Sequence, residues 1–205
     1  MGRQAQRVSV SSGRVPRVLV TRAVHGLTLL ELLVALSIAA VLVTLAVPGL
    51  SEMVQHKRGD LVIRRLNQAI ELARISAVSY GEVVTLCRSG DGQECGGSWE
   101  QGLLVFRDPD ADRRLVDDQQ PVAYLDLGGS RGRIFWRAFG NRQYLQFTPL
   151  GFTRNQNGNF TYCPDAGDLR QARQLIVNRA GRTRRALDTD GDGIAEDSRG
   201  RPLRC

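Results

Sequence analysis

Gly26-Leu27-Thr28-Leu29-Leu30-Glu31-Leu32-Leu33-Val34-Ala35-Leu36-Ser37 is the stretch on which the reading of this chain turns. It opens an apolar run that reaches Leu50, and the residues before it include Arg3, Arg7, Arg14, Arg17 and Arg22 but no acid. A helix rising about 1.5 Å per residue over such a run is long enough to cross a bilayer core of about 30 Å. Glu31 sits just inside its edge, where a plain anchor would carry an apolar residue. A carboxylate in lipid costs roughly 3 kcal/mol even on lenient insertion scales, so it calls for a cationic partner. Cutting the chain after Gly26 would supply one, the new α-amino group of Leu27.

These residues resemble the class III signal of type IV prepilins and secretion pseudopilins. The resemblance implies that a membrane-embedded prepilin peptidase cuts between Gly26 and Leu27 and methylates the new N-terminus. Glu31 then becomes the fifth mature residue and Pro48 the twenty-second, the family's habitual places for a glutamate and a helix-kinking proline. Leu27 departs from the pattern, since phenylalanine is commonest there. A simple signal anchor would not require glycine, glutamate and proline in that register.

The rest of the composition agrees with an exported protein. At 205 residues the chain holds one domain's worth of sequence once leader and helix are set aside. Its formal charge of +7 falls to +2 when the five leader arginines are removed, too little for a surface coated generally by nucleic acid. The basic leader reads as positive-inside, leaving the C-terminal part across the membrane. Cys87, Cys95, Cys163 and Cys205 all lie beyond the apolar run, and four cysteines allow three pairings. In an oxidising periplasm we expect Cys87–Cys95 to close a Gly-rich loop and Cys163–Cys205 to tie down the C-terminal segment. Zinc fits poorly, because the spacing is wrong and no histidine is near.

Apolar residues recur at Ile63, Leu66, Ile70, Ala73 and Ala77, which predicts a helix stripe running to about Ser79. Pro48 should kink or loosen the helix rather than end it, and Gly81 should close it. His56-Lys57-Arg58 read as a solvated, headgroup-facing patch. From Glu82 onward short strand-like runs follow at 83–86, 103–106, 122–125, 133–136, 144–147, 160–162 and 175–177, separated by turn clusters. The helix stripe should pack on the sheet they form.

Trp99-Glu100-Gln101-Gly102, Phe147-Thr148-Pro149-Leu150-Gly151, Asn157-Gly158-Asn159-Phe160-Thr161-Tyr162-Cys163 and the block from Ala172 to Arg184 are similar to the FimT/GspH branch of minor pilins and pseudopilins. The resemblance implies an α+β, type IV pilin-like fold. Its parts are a leader (1–26), a transmembrane and filament-core half-helix (27–50), an amphipathic half-helix (51–80), a periplasmic β-rich domain (81–187) and an acidic tail (188–205). It also implies a low-copy subunit that primes or caps a pilus. Its partners would be the prepilin peptidase, other minor pilins or pseudopilins and the inner membrane. The late block looks more like pilus members than secretion members; a GspH-like pseudopilin of type II secretion is the alternative.

Two further features carry chemistry. Gly181-Arg182-Thr183-Arg184-Arg185 resembles the Gly-Arg-x-Arg element by which competence-associated FimT proteins bind DNA, with Arg179 assisting. In a strand, Arg182 and Arg184 would share one face and Arg185 the other, although arginines at a strand edge also serve to block pairing. Asp188, Asp190, Asp192 and Glu196 occupy positions one, three, five and nine of a loop with glycine at six, resembling an EF-hand-type calcium loop. Position twelve is Arg199, so the bidentate ligand is missing unless Asp197 replaces it. No cofactor is required by this reading; calcium is a candidate ligand. Catalysis is not expected, because the histidines, His25 and His56, lie in the leader and by the membrane, and no phosphate-cradling loop occurs. Asp108, Asp110 and Asp112 read as a polar hairpin tip rather than a metal cluster.

Overall fold

The structure, a computed structural model, describes residues 28–116 and 120–205, with helix side chains at 45–53, 55 and 56 outside that description. One helix, α1 (Leu29–Tyr80), comes first. It is entered through Thr28, whose hydroxyl accepts the Glu31 backbone N–H at 3.2 Å, half of a Thr-x-x-Glu capping box. The helix continues through Pro48, as expected. It closes where the Gly81 N–H reaches the Ala77 carbonyl at 3.1 Å, with Gly81 left-handed at φ +68°.

The chain divides between Leu45 and Ala46 into two compact units. The second holds the amphipathic part of α1 together with the β-rich part and the acidic tail. Packing explains this. Ile63, Leu66, Ile70, Ala73 and Ala77 are all buried, together with Val62 and Ala69 beside them. A fully buried isoleucine or leucine in such a stripe contributes about 1.5–3 kcal/mol.

Among the described residues eight strands follow: β1 (Val84–Arg88), β2 (Gly102–Arg107), β3 (Ala123–Asp126), β4 (Gly132–Ala138), β5 (Tyr144–Phe147), β6 (Gly158–Pro164), β7 (Arg173–Val177) and β8 (Thr183–Arg185). They form two antiparallel sheets rather than one, with orders β3-β2-β1-β5 and β4-β6-β7-β8. Strand residues alternate between faces. Leu86, Val105, Leu145, Ile134, Trp136, Phe160, Tyr162, Leu175 and Val177 join the helix stripe in one core. Phe160 is stacked on Trp136, centroids 4.2 Å apart, and meets Trp99 edge-on at 5.0 Å. The far face of β1 and β2 is also dry, because Cys87, Leu104 and Phe106 are covered by Cys95, Leu115 and Tyr144.

Polar contacts pin α1 to both sheets. Arg65 donates to the Asp126 carbonyl at the end of β3, Asp60 pairs with Arg173 of β7 at 3.2 Å, and Asn67 accepts from Thr183 of β8. At the helix end, Arg107 of β2 grips Glu82 through two bonds of 3.0 and 2.8 Å and lies 4.8 Å over the Tyr80 ring. The two disulfides are Cys87–Cys95 and Cys163–Cys205.

Candidate functional site

At the N-terminal junction, every described side chain from 28 to 44 is exposed, including Leu29 at 78% and Leu30 at 72%. Glu31 stands among them without an ion pair to any described residue. Gly26 and Leu27 lie outside the described residues, as does the Pro48 side chain. Among the described residues no helix is long and apolar enough to cross a membrane.

The basic element lies on the turn from β7 into β8. The Gly181 N–H meets the Asn178 carbonyl, and the Asn178 side chain accepts the Arg182 N–H, both at 3.0 Å. Gly181 has φ +71°, and a Cβ there would sit 2.7 Å from the Gly151 carbonyl oxygen and 2.9 Å from the Phe147 ring. Only glycine fits both demands. Register pairs Val177 with Thr183, Ile176 with Arg184 and Leu175 with Arg185. Val177 and Leu175 are buried, so Thr183 and Arg185 share the helix side and Arg184 faces away from it, together with Arg182. Arg182, Arg184 and Arg185 are exposed and form no ion pair with any described residue.

Arg179 stands apart from that face. Its carbonyl accepts the Thr153 N–H and hydroxyl, and it lines a cleft of about 970 Å³ with Arg142, Arg154, Tyr144, Phe152 and the buried Gln156. Among the described residues no carboxylate lines this cleft. Its three arginines come from separate loops, so local spacing in the sequence carries no signal for it.

The acidic loop follows β8. The Asp188 carboxylate accepts the N–H groups of Gly191 at 2.7 Å and Gly193 at 2.8 Å, while Asp190 and Asp192 each accept one two residues on. Asp188, Asp190, Asp192 and Glu196 each offer an oxygen, all within 4.8 Å of one another. Asp197, the residue that could stand in for the missing twelfth ligand, is engaged within the chain. It is held by Arg201 at 2.8 and 3.1 Å and by the N–H groups of Arg199 and Arg201, and the Arg201 guanidinium lowers its carboxyl to about 2.

Of the aspartates after β2, Asp110 and Asp112 are exposed in the loop that joins antiparallel β2 and β3, in keeping with a polar tip, and Asp108 departs from that reading. Asp108 is buried and accepts the Thr85 hydroxyl, the Gln146 amide and the backbone N–H groups of Asp112 and Arg113. The carboxylate anchors the loop between β2 and β3 to β1 and β5, whose contributions the sequence could not bring together.

Residues 62–181 match the family described as "Type II transport protein GspH", and residues 21–47 match the "Prokaryotic N-terminal methylation motif". No curated relative matches. Among solved structures, the chain is similar to the type IV minor pilin FimU of Pseudomonas aeruginosa PAO1, with a TM-score of 0.47 and 21% identity over 62% of this chain and 87% of that one. It is also similar to the minor pseudopilin EpsH of the Vibrio cholerae type 2 secretion system, with a TM-score of 0.44 and 11% identity over 62% and 95% of the two chains.

Proposed function

This chain belongs to the GspH family, and from that premise we propose that it is a minor, non-catalytic subunit of a pilin-type filament, anchored in the inner membrane and priming or capping a type IV pilus. What supports the reading most is the methylation-motif match over residues 21–47, which contains the Gly26–Leu27 junction and Glu31. The prepilin peptidase would cut there. The apolar part of α1, exposed throughout its described side chains, is then stored in lipid and later buried against neighbouring helices in the filament core. Glu31 facing a neighbour's Leu27 ammonium compensates two charges that are each costly in an apolar bundle.

Sequencing the N-terminus of material from native cells tests the premise: it should begin at methylated Leu27, and any other start overturns it. Glu31→Ala should insert normally into the membrane. It should enter filaments more than tenfold less, since removing one partner of a buried ion pair costs about 3–5 kcal/mol. Normal incorporation would remove the pairing. The alternative assignment to type II secretion is separated by the deletion phenotype: loss of pili supports the pilus reading, and loss of protein secretion with pili intact supports the other.

A second reading is DNA capture. It is favoured by Arg182 and Arg184, exposed on one face of β8 with no acidic partner among the described residues, and by the arginine-lined cleft that Arg179 borders. Guanidiniums displayed in this way suit phosphates. In a gel-shift series with the full chain in detergent, binding should weaken with salt. Arg182→Ala/Arg184→Ala should flatten the salt slope by about 1.5–2. No shift, or one unchanged in the double variant, rejects the reading.

A further inference from the structure

We propose that Asp188, Asp190, Asp192 and Glu196 bind one calcium ion, and that the ion fixes the segment from 187 to 205 in place. The acidic cluster alone would not carry this. The deciding group is Glu196, which is only 7% exposed. Its Oε2 accepts the Thr189 N–H at 2.7 Å and the Thr189 hydroxyl at 2.8 Å, whereas its Oε1 is buried without any hydrogen-bond partner. A buried carboxylate oxygen with no donor is costly and therefore marks a place where something else binds.

The charge balance points the same way. The four carboxylates bring oxygens within 4.8 Å of one another, yet none forms an ion pair with a described residue. Arg170, whose stem passes beside Gly193, is no exception. Four hard oxygens with a glycine at the sharp turn suit a divalent cation, and the flexible coordination of calcium tolerates the absent bidentate ligand at Arg199. Magnesium would demand a stricter octahedron at shorter distances.

The placement gives the ion a structural consequence. Glu196 is bridged to Pro202, its N–H meets the Leu187 carbonyl, and Leu203 is buried with its N–H on the Ala195 carbonyl. Beyond it Cys205 is bonded to Cys163 of β6. A cation on Glu196 therefore holds the middle of a segment whose far part is tied by sulfur. The inference does not depend on the filament or DNA readings.

The test uses the full chain, disulfides intact, in detergent, stripped with EGTA and titrated with calcium chloride in a calorimeter. A single site is expected, with a dissociation constant of about 10⁻⁴–10⁻³ M, the range of extracellular modules. Calcium should also slow trypsin cleavage of the exposed Arg199–Gly200 bond by about tenfold, the ratio expected when the ion stands at roughly ten times its dissociation constant. Asp190→Asn/Asp192→Asn should lose both effects while melting like the wild type in EGTA. Glu196→Gln should bind more weakly, and if it fails to fold the double variant still decides. No heat and no protection at about 10 mM calcium overturns the proposal. Equal protection by magnesium chloride, or by calcium in the double variant, overturns it as well.

Discussion

Asp108 shows how much can rest on one side chain. Truncating it would leave the Thr85 hydroxyl buried without its acceptor, remove one of the acceptors of the Gln146 amide, which keeps Thr85 and the Ala111 carbonyl, and release the turn at Asp112 and Arg113. Asp108→Ala should therefore cost about 3 kcal/mol, read as a lowered midpoint in urea unfolding with an unchanged slope. In the sequence Asp108 is indistinguishable from Asp110 and Asp112, because its partners arrive from strands dozens of residues away. Glu82 gives a second test at this scale. Arg107 holds the Glu82 carboxyl below its ordinary 4.5, chiefly by hydrogen bonding. The stabilisation from this pair is thus fully present above pH 4.5 and is lost as pH falls through the lowered folded value. Arg107→Gln should return the Glu82 titration midpoint, followed by NMR, upward toward 4.5. A midpoint that does not move would show that the pair leaves no mark on the titration.

The elements were the most legible level. The three- and four-residue spacing from Ile63 to Ala77 identified the face of α1 that is buried, and each of the seven apolar runs overlaps a strand. Their division into two sheets was not legible, because alternation reports which face is buried but not which edge is paired. The short link from β3 to β4 carries the chain from one sheet to the other, and an adjacent link would look the same in the sequence. Small residues in the stripe have a separate meaning. Ala69, Ala73 and Ala77 are fully buried, so the helix backbone comes close to its cover. Ala73→Leu should cost about 1–3 kcal/mol by overpacking, whereas Leu72→Ala, on the partly exposed flank, should cost less; paired thermal melts would show the order.

At the scale of the whole molecule, the two disulfides differ in reach. Cys87 and Cys95 are 8 residues apart and Cys163 and Cys205 are 42 apart. Loop-closure entropy assigns about 2.5 kcal/mol to the first and about 4 kcal/mol to the second. Cys163→Ser/Cys205→Ser should therefore lower the melting temperature more than Cys87→Ser/Cys95→Ser. The reverse order would place the contribution in the local packing of Cys87 instead. The candidate sites were unevenly legible. The junction and the acidic loop are written in consecutive residues, and so was the arginine run after Gly181. The cleft at Arg142, Arg154 and Arg179 exists only once β5, the Thr153 loop and the β7–β8 turn have converged. The stripe of α1 also decides how the domain responds to being pulled. Traction along the helix axis must slide the rows at Ile63, Leu66, Ile70, Ala73 and Ala77 past their cover all at once, as in a lap joint under shear, with the Arg107 grip on Tyr80 and Glu82 at its far end. Prying the helix away sideways would break the same rows one by one. The domain is built to hold when dragged by its helix and to yield when peeled from it.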